Sequence, residues 1–109
     1  AESGVVICSA ENGQFDAQIA CLKQSGEIAV VWTDSRGDIY NIFCQRLDLA
    51  GKIQCRENGC ALDAQGYYQL SPSLAVSGGG AVIAAWEDNR KKYYDIYCRE
   101  AGCEKKQLD

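Results

Sequence analysis

Short apolar segments separated by polar turns run along the whole sequence. Turns containing Ser-Gly, Ser-Arg-Gly and Leu-Ala-Gly divide its first half into segments rich in Ile, Val, Tyr and Trp. No stretch keeps the 3.6-residue apolar period of an amphipathic helix, so the pattern predicts half-buried antiparallel β-strands. The predicted strands are Gln18–Lys23, Glu27–Asp34, Tyr40–Asp48 and Lys52–Leu62.

The sequence also repeats itself. Residues 27–44 align without a gap to residues 81–98, at an offset of 54 residues. The identical positions are Trp32, Asp34, Arg36, Tyr40, Ile42 and Cys44, matched by Trp86, Asp88, Arg90, Tyr94, Ile96 and Cys98. Upstream the offset becomes 55, and Gly4, Ile7, Gln14, Ile19 and Ala20 correspond to Gly59, Leu62, Gln69, Leu74 and Ala75. The chain therefore contains about two copies of one unit.

A four-stranded antiparallel sheet repeated in tandem is typical of the blades of a β-propeller. We therefore predict an all-β protein with two propeller-like blades in a single compact domain. Residues 11–62 would form the first unit and residues 63–109 the second, which is truncated soon after Cys98. Residues 1–10 match the end of the strand that the second unit lacks, so they are predicted to be a closing strand.

The repeated segments resemble a propeller repeat of secreted bacterial proteins. W-T-D-S-R…Y-N-I-F-C-Q-R-L-D-L-A-G and W-E-D-N-R…Y-Y-D-I-Y-C-R-E are similar to its theme W-x-D-x-R…D-I-Y-x-Q-R-x-D-x-x-G. G-V-V-I-C at residues 4–8 and Q-L-S-P-S-L-A at residues 69–75 resemble two further elements. The resemblance implies the fold and secretion but says little about function. Cys55 stands where the family more often has an aromatic residue.

Two blades are too few to close a ring, because propellers have about four to eight. The closing strand therefore lacks a partner in its own chain, and an unpaired strand edge promotes aggregation unless it is covered. We expect it to add to the second unit of a neighbouring copy, which gives head-to-tail assembly. The predicted interface comprises Val5, Val6, Ile7, Cys8, Tyr94, Ile96 and Cys103.

Composition excludes several classes of function. The 109 residues carry a net charge of −4, and no cluster of Lys and Arg gathers enough charge to bind phosphates, so nucleic acid is an unsuitable partner. The longest apolar run is six residues, far short of a membrane span. The absence of histidine removes imidazole catalysis and histidine-ligated metals. No catalytic or phosphate-binding motif is present, so we predict neither enzymatic activity, nor a cofactor, nor a metal site.

Seven cysteines in so short a chain favour disulfides and an extracellular location. The start Ala1-Glu2-Ser3 fits a signal peptide already removed. The odd number leaves at least one cysteine free, modified or bonded to another chain, and the sequence does not fix the pairing. The disulfide candidates are Cys8, Cys21, Cys44, Cys55, Cys60, Cys98 and Cys103, of which Cys8, Cys21 and Cys103 are candidates for an intermolecular bond.

The repeated blade motif consists of Trp32, Asp34 and Arg36 with Trp86, Asp88 and Arg90. Because the motif occurs at the same position in both units, we expect its residues to form ion pairs and to pack between the blades rather than to bind a ligand. If the protein does bind a ligand, the candidate contacts are the neighbouring Tyr67 and Tyr68, together with Tyr93. Exposed tyrosines suit either a protein interface or the binding of a sugar ring.

We therefore expect a secreted structural subunit that forms a filament or ring by strand complementation. The alternative is a glycan-binding lectin, in which several two-blade chains close a propeller. Carbohydrate is expected as a partner only if the protein is such a lectin.

Overall fold

The computed structural model describes residues 4–63 and 66–102. Among these residues there are seven β-strands and no helix, so none that could cross a membrane. The strands are β1 (Gln14–Leu22), β2 (Glu27–Asp34), β3 (Asn41–Asp48), β4 (Cys60–Ala61), β5 (Gln69–Val76), β6 (Val82–Asp88) and β7 (Asp95–Glu100). The prediction of an all-β protein is confirmed.

The strands form two antiparallel sheets, one for each unit. The first sheet has the order β1-β2-β3-β4 and the second has the order β5-β6-β7. Strand β5 lies against β1, β2 and β3, so the second sheet packs on one face of the first. The described residues do not close into a propeller.

Strand β2 is buried on both faces, which explains its almost continuous apolar sequence. Successive side chains of a strand point to opposite faces. Val30 and Trp32 pack with Leu47 on one face, while Ala29 and Val31 lie in the larger core between the two sheets. The second sheet contributes Val82, Ala84 and Trp86 to that larger core.

The sequence repeat is also a structural repeat. Trp32 lies opposite Phe43 in the first sheet, and Trp86 lies opposite Tyr97 in the second. The first strand pair of each sheet also carries the same β-bulge, between Phe15 and Gln18 in β1 and between Leu70 and Ser73 in β5. Asp16 and Ser71, at equivalent positions within these bulges, both have positive φ, of 57° and 55°. The repeat offset therefore identifies structurally equivalent residues.

The structure differs from two of the predicted strand ranges. Strand β1 begins at Gln14 rather than Gln18, ahead of the bulge. The strand predicted over Lys52–Leu62 is reduced to the short β4 and to isolated bridged residues at Ile53, which pairs with Leu47, and at Cys55. Between these two elements, Asn58 and Gly59 adopt positive φ, which turns the backbone out of the extended conformation.

Residues 4–10 form no strand within the chain. Ile7 and Cys8 instead pack beside Val30 and Trp32 of the first unit, and the Ser9 N–H donates to Asn58 Oδ1 at 3.0 Å. The predicted completion of the second sheet by an N-terminal strand from a neighbouring chain is therefore not seen in a single copy.

Candidate assembly interface

The blade motif forms the same buried cluster in both units. In unit 1, Asp34 accepts hydrogen bonds from Trp32 Nε1 at 2.9 Å and from Arg36 Nη2 at 2.8 Å. The corresponding distances from Asp88 to Trp86 and Arg90 in unit 2 are 3.0 and 2.7 Å. In both units the arginine also donates its backbone N–H and Nε to the carboxylate. The repeated cluster fixes the turn that follows β2 and β6.

These contacts keep both aspartates ionised. A hydrogen bond from Arg90 is the main reason why the pKa of Asp88 lies below its ordinary value, despite burial, which acts in the opposite direction. Burial alone would raise the pKa of Asp34, but hydrogen bonds from Arg36 and Trp32 outweigh it and lower the pKa. Carboxylates held in this way serve as structural ion-pair partners.

The junction between the two units depends on Gln69, which is fully buried. Its backbone N–H donates to the Tyr40 carbonyl at 2.8 Å, and its Oε1 accepts the Ile42 N–H at 3.1 Å. Its Nε2 lies 3.3 Å from Asp88 Oδ2, so one side chain links β3 of unit 1 to the blade motif of unit 2. The match between Gln14 and Gln69 is present in the sequence, but nothing in the sequence indicates that this position joins two units.

Ile42 is the apolar centre of this junction. It is 0% exposed and belongs to the same core as Trp86, and its carbonyl accepts the Leu62 N–H at 2.8 Å. Its equivalent in unit 2, Ile96, is 74% exposed. Ile96 lies on the same face of unit 2 as Ile83 and Cys98, and this face is called the trailing face here. It is equivalent to the face of unit 1 that is buried at the junction, but in unit 2 no other sheet of the described residues covers it.

The opposite end of the molecule carries the complementary surface, called the leading face here. A cavity of about 360 Å³ lies on it, between the N-terminal segment and β1 and β2. Its lining is mainly apolar and comprises Val5, Val6, Ile7, Cys8, Gln14, Phe15, Ala17, Val30 and Trp32. Leu62 is equivalent to Ile7, Gln69 of unit 2 is equivalent to Gln14, and Ile42 hydrogen-bonds to both Leu62 and Gln69. The cavity of the leading face therefore corresponds to the place that Ile42 fills at the junction.

The N-terminal segment repeats the path of residues 59–63. Gly4 has a φ of 92° and its equivalent Gly59 a φ of 80°. Arg36 Nη2 lies 3.3 Å from Cys8 Sγ, and Arg90 Nη2 lies 3.0 Å from the equivalent Asp63 carboxylate. Val5 and Val6 are therefore the equivalents of Cys60 and Ala61 of β4, and they are 51% and 68% exposed.

At Gly59 the backbone passes close to Trp32 and Cys44, and a substitution there tests how tightly this segment is packed. A Cβ at this position would lie 2.6 Å from Trp32 Cη2 and 2.7 Å from the Cys44 carbonyl oxygen, and φ is positive. Gly59→Ala is therefore expected to lower the free energy of unfolding by about 2–4 kcal/mol, as measured by urea denaturation. Gly37→Ala, where an added Cβ meets no atom within 4 Å, is the matched control and is expected to be neutral. Equal stability of the two variants would contradict the close packing of Gly59.

The cysteines occupy several different environments. Cys8, Cys21, Cys44, Cys60 and Cys98 are free thiols, so no disulfide joins any two of them. Because Cys60 and Cys98 are free, neither C-R-E-x-G-C turn is closed by a disulfide. Cys55 is fully buried and donates its N–H to Gln45 Oε1 at 3.0 Å. Cys103, a candidate for both a disulfide and the interface, lies outside the described residues.

The remaining predicted site residues lie at the surface. Tyr94 is exposed at the start of the trailing face, in the position equivalent to Tyr40. Tyr68 packs edge-on against Tyr40 at the junction, and the Tyr67 carbonyl accepts from Asn41 Nδ2 at 3.0 Å. Tyr93 is exposed near the β6–β7 turn, with Lys92 Nζ 5.5 Å from the centre of its ring. Binding of carbohydrate by the candidate tyrosines Tyr67, Tyr68 and Tyr93 stays a prediction.

Comparison with protein-family models, with curated proteins and with solved structures gave no match to this chain. A function is therefore inferred from the leading face, the trailing face and the junction, at which the equivalents of these two faces are in contact.

Proposed function

We propose that this protein is a structural subunit that assembles head to tail with further copies of itself. The trailing face of unit 2 in one copy docks on the leading face of unit 1 in the next. The observation that carries the proposal is the contrast between Ile42, which is 0% exposed, and its equivalent Ile96, which is 74% exposed. The contacts at the junction between the two units of one chain thus serve as the template, meaning the pattern from which we infer the contacts between chains.

The template specifies the contacts. Ile96 would enter the cavity of about 360 Å³ beside Trp32 of the next copy, as Ile42 packs beside Trp86 within the chain. Its N–H and carbonyl would pair with Gln14 and Ile7 of that copy, as those of Ile42 pair with Gln69 and Leu62. Burial of an isoleucine together with satisfied backbone groups favours association.

The same template accounts for the position of the N-terminal segment. Within the chain, Cys60 and Ala61 form the fourth strand of the first sheet by pairing with Cys44 and Phe43. Val5 and Val6 would likewise add to Cys98 and Tyr97 of a neighbouring copy, giving the second sheet the fourth strand predicted from the sequence. Packing of Ile7 and Cys8 on their own unit agrees with this arrangement, because Leu62 packs in the same way on unit 2.

The resulting contact joins two different faces. Such a heterologous contact continues from copy to copy and produces a ring if the rotation closes, or a helical filament if it does not. Electron microscopy of the purified protein distinguishes these two forms.

A cysteine cross-link tests the register between copies. By analogy with the pairing of Cys60 with Cys44, Val5 would lie opposite Cys98 of the preceding copy, so Val5→Cys is expected to give a ladder of disulfide-linked multimers under mild oxidation. The variant is made together with Cys21→Ser, which removes a second exposed thiol. Non-reducing electrophoresis and mass spectrometry of the linked peptides measure the result.

Val6→Cys in the same background is the matched control. Neighbouring residues of a strand point to opposite faces, so a cysteine at position 6 should not reach Cys98. Equal cross-linking at both positions would refute the proposed register. A protein that stays monomeric at all concentrations in sedimentation experiments would refute assembly itself.

A further inference from the structure

Two cysteines face each other where the short strand β4 joins the first sheet. Cys44 of β3 and Cys60 of β4 are directly opposite partners in the antiparallel register. Directly opposite residues project their side chains from the same face of the sheet. Both side chains belong to the core between the two units, with Cys44 buried and Cys60 half-buried.

Both cysteines are free thiols in the structure, and the strand register at this pair allows a covalent link to form between them. The Leu62 N–H donates to the Ile42 carbonyl at 2.8 Å, and two residues further along the ladder Cys44 and Cys60 occupy a position of the same type. Hydrogen-bonded pairs of antiparallel strands have Cα atoms about 5.5 Å apart, within the range of about 4.4–6.8 Å found for disulfides. The Cys44 thiol already donates to the Cys60 carbonyl oxygen at 3.6 Å.

We infer that Cys44 and Cys60 are the two halves of a cross-strand disulfide that forms when the protein meets an oxidising environment. The oxidant is a low-molecular-weight disulfide such as oxidised glutathione. Cys60 attacks it as the thiolate and releases one thiol, which forms a mixed disulfide. Cys44 then attacks Cys60 Sγ, its proton passes to the departing thiolate, and a second thiol is released. Two protein thiols are oxidised and one small disulfide is reduced to two thiols.

The order of attack follows from the surroundings of the two sulfur atoms. Burial, together with the neighbouring Cys60, raises the pKa of Cys44 to about 12, so this thiol stays protonated at neutral pH. Cys60 is the more accessible of the two and therefore reacts first with the oxidant.

The link would stabilise the weakest part of the first sheet. Strand β4 has only two residues, and in the connection between β3 and β4 the bridged residues are the isolated Ile53 and Cys55. A disulfide at this site would fasten β4 to the junction, where Leu62 and Ile42 share one core with Trp86 of unit 2. Closure of a loop of this length restricts the unfolded chain and so stabilises the native one.

The decisive measurement is a disulfide map of the full chain after equilibration in oxidised and reduced glutathione. We expect a peptide linking Cys44 to Cys60, lost on reduction, and a melting temperature higher by about 10 °C in the oxidised protein. Recovery of both cysteines as free alkylated thiols, or linked to other cysteines, overturns the inference.

Two variants make the result specific. Cys60→Ser removes the first thiol to react, and the shift in melting temperature on oxidation is expected to disappear. Cys21→Ser, which removes an exposed thiol outside the pair, outside the trailing face and outside the cavity of the leading face, is expected to retain the full shift. A shift that persists in Cys60→Ser would assign the stabilisation to another bond. None of these readouts requires the protein to assemble, so they are independent of the proposed function.

Discussion

Replacing Ile96 with glutamate is expected to dissociate the assembly while leaving the isolated chain folded. In the single chain this side chain is exposed to solvent, so a charge costs little there. In the proposed assembly the same position would lie in the apolar cavity beside Trp32 of the next copy, where a carboxylate would lose its hydration. Loss of isoleucine burial together with the desolvation of the charge should raise the dissociation constant at least ~100-fold.

Leu49 provides a matched control for this substitution. It is 75% exposed, nearly the same as Ile96, but lies in the β3–β4 connection and on neither open face. Leu49→Glu adds the same charge and removes a similar apolar area, so its effect on the dissociation constant should be within about twofold. Sedimentation velocity over a range of concentrations measures both variants. Similar association of wild type and Ile96→Glu would show that the trailing face is not the interface.

The repeat in the sequence contained most of the information needed for the fold. Identities at Trp32, Asp34 and Arg36 and their partners in unit 2 indicated one structural cluster used twice, and the geometry of the two clusters agrees closely. The short apolar segments between turns predicted β2 and β3 well, because each of these strands lies between two neighbours and is largely buried.

The region from Lys52 to Leu62 was harder to predict because side chains replace the usual strand pairing there. Gln45 is buried, and its amide bonds to the Arg56 carbonyl at 2.7 Å and to the Cys55 N–H at 3.0 Å. Backbone groups satisfied in this way can be buried without forming a strand. The Asn58-Gly59 pair was a turn signal in the sequence, and it interrupts the predicted strand at that point.

The relation between the two faces lay beyond sequence reasoning. Periodicity assigns side chains to one face or the other of a strand, but it does not identify which sheet covers that face. Ile42 and Ile96 are identical in sequence context, and only the packing of β5 on the first sheet separates the buried residue from the exposed one. In the same way, the role proposed for the N-terminal segment follows only from its structural equivalence to residues 59–63.

The largest effect on stability is expected from Asp88→Ala. The carboxylate is 0% exposed and accepts hydrogen bonds from the Trp86 side chain and from the backbone and side chain of Arg90. Its removal leaves these donors without a partner and leaves a guanidinium charge uncompensated. We expect a loss of about 3–5 kcal/mol in the free energy of unfolding, a large part of the stability of a domain of this size.

Urea denaturation measures this loss, and Asp38→Ala serves as the control. Asp38 is exposed on the turn that follows the blade motif of unit 1, so its replacement should change the free energy of unfolding by less than about 0.5 kcal/mol. Asp34→Ala should behave like Asp88→Ala, because both aspartates bind an equivalent tryptophan and an equivalent arginine. A small effect at either aspartate would show that its cluster is not needed for the fold of that unit.

The same interactions predict how stability depends on pH. Because contacts with Arg90 and Arg36 lower the pKa of Asp88 and Asp34 in the folded chain below the ordinary value of 3.8, the folded state binds fewer protons than the unfolded state in acid. Their contribution is therefore complete above about pH 4 and is lost as the pH falls from there through the lowered pKa values. Asp88→Asn, which carries no titrating group at this position, should show a shallower loss of stability between pH 4 and pH 2 than the wild type. Parallel curves for the two proteins would contradict a stabilising charge on Asp88.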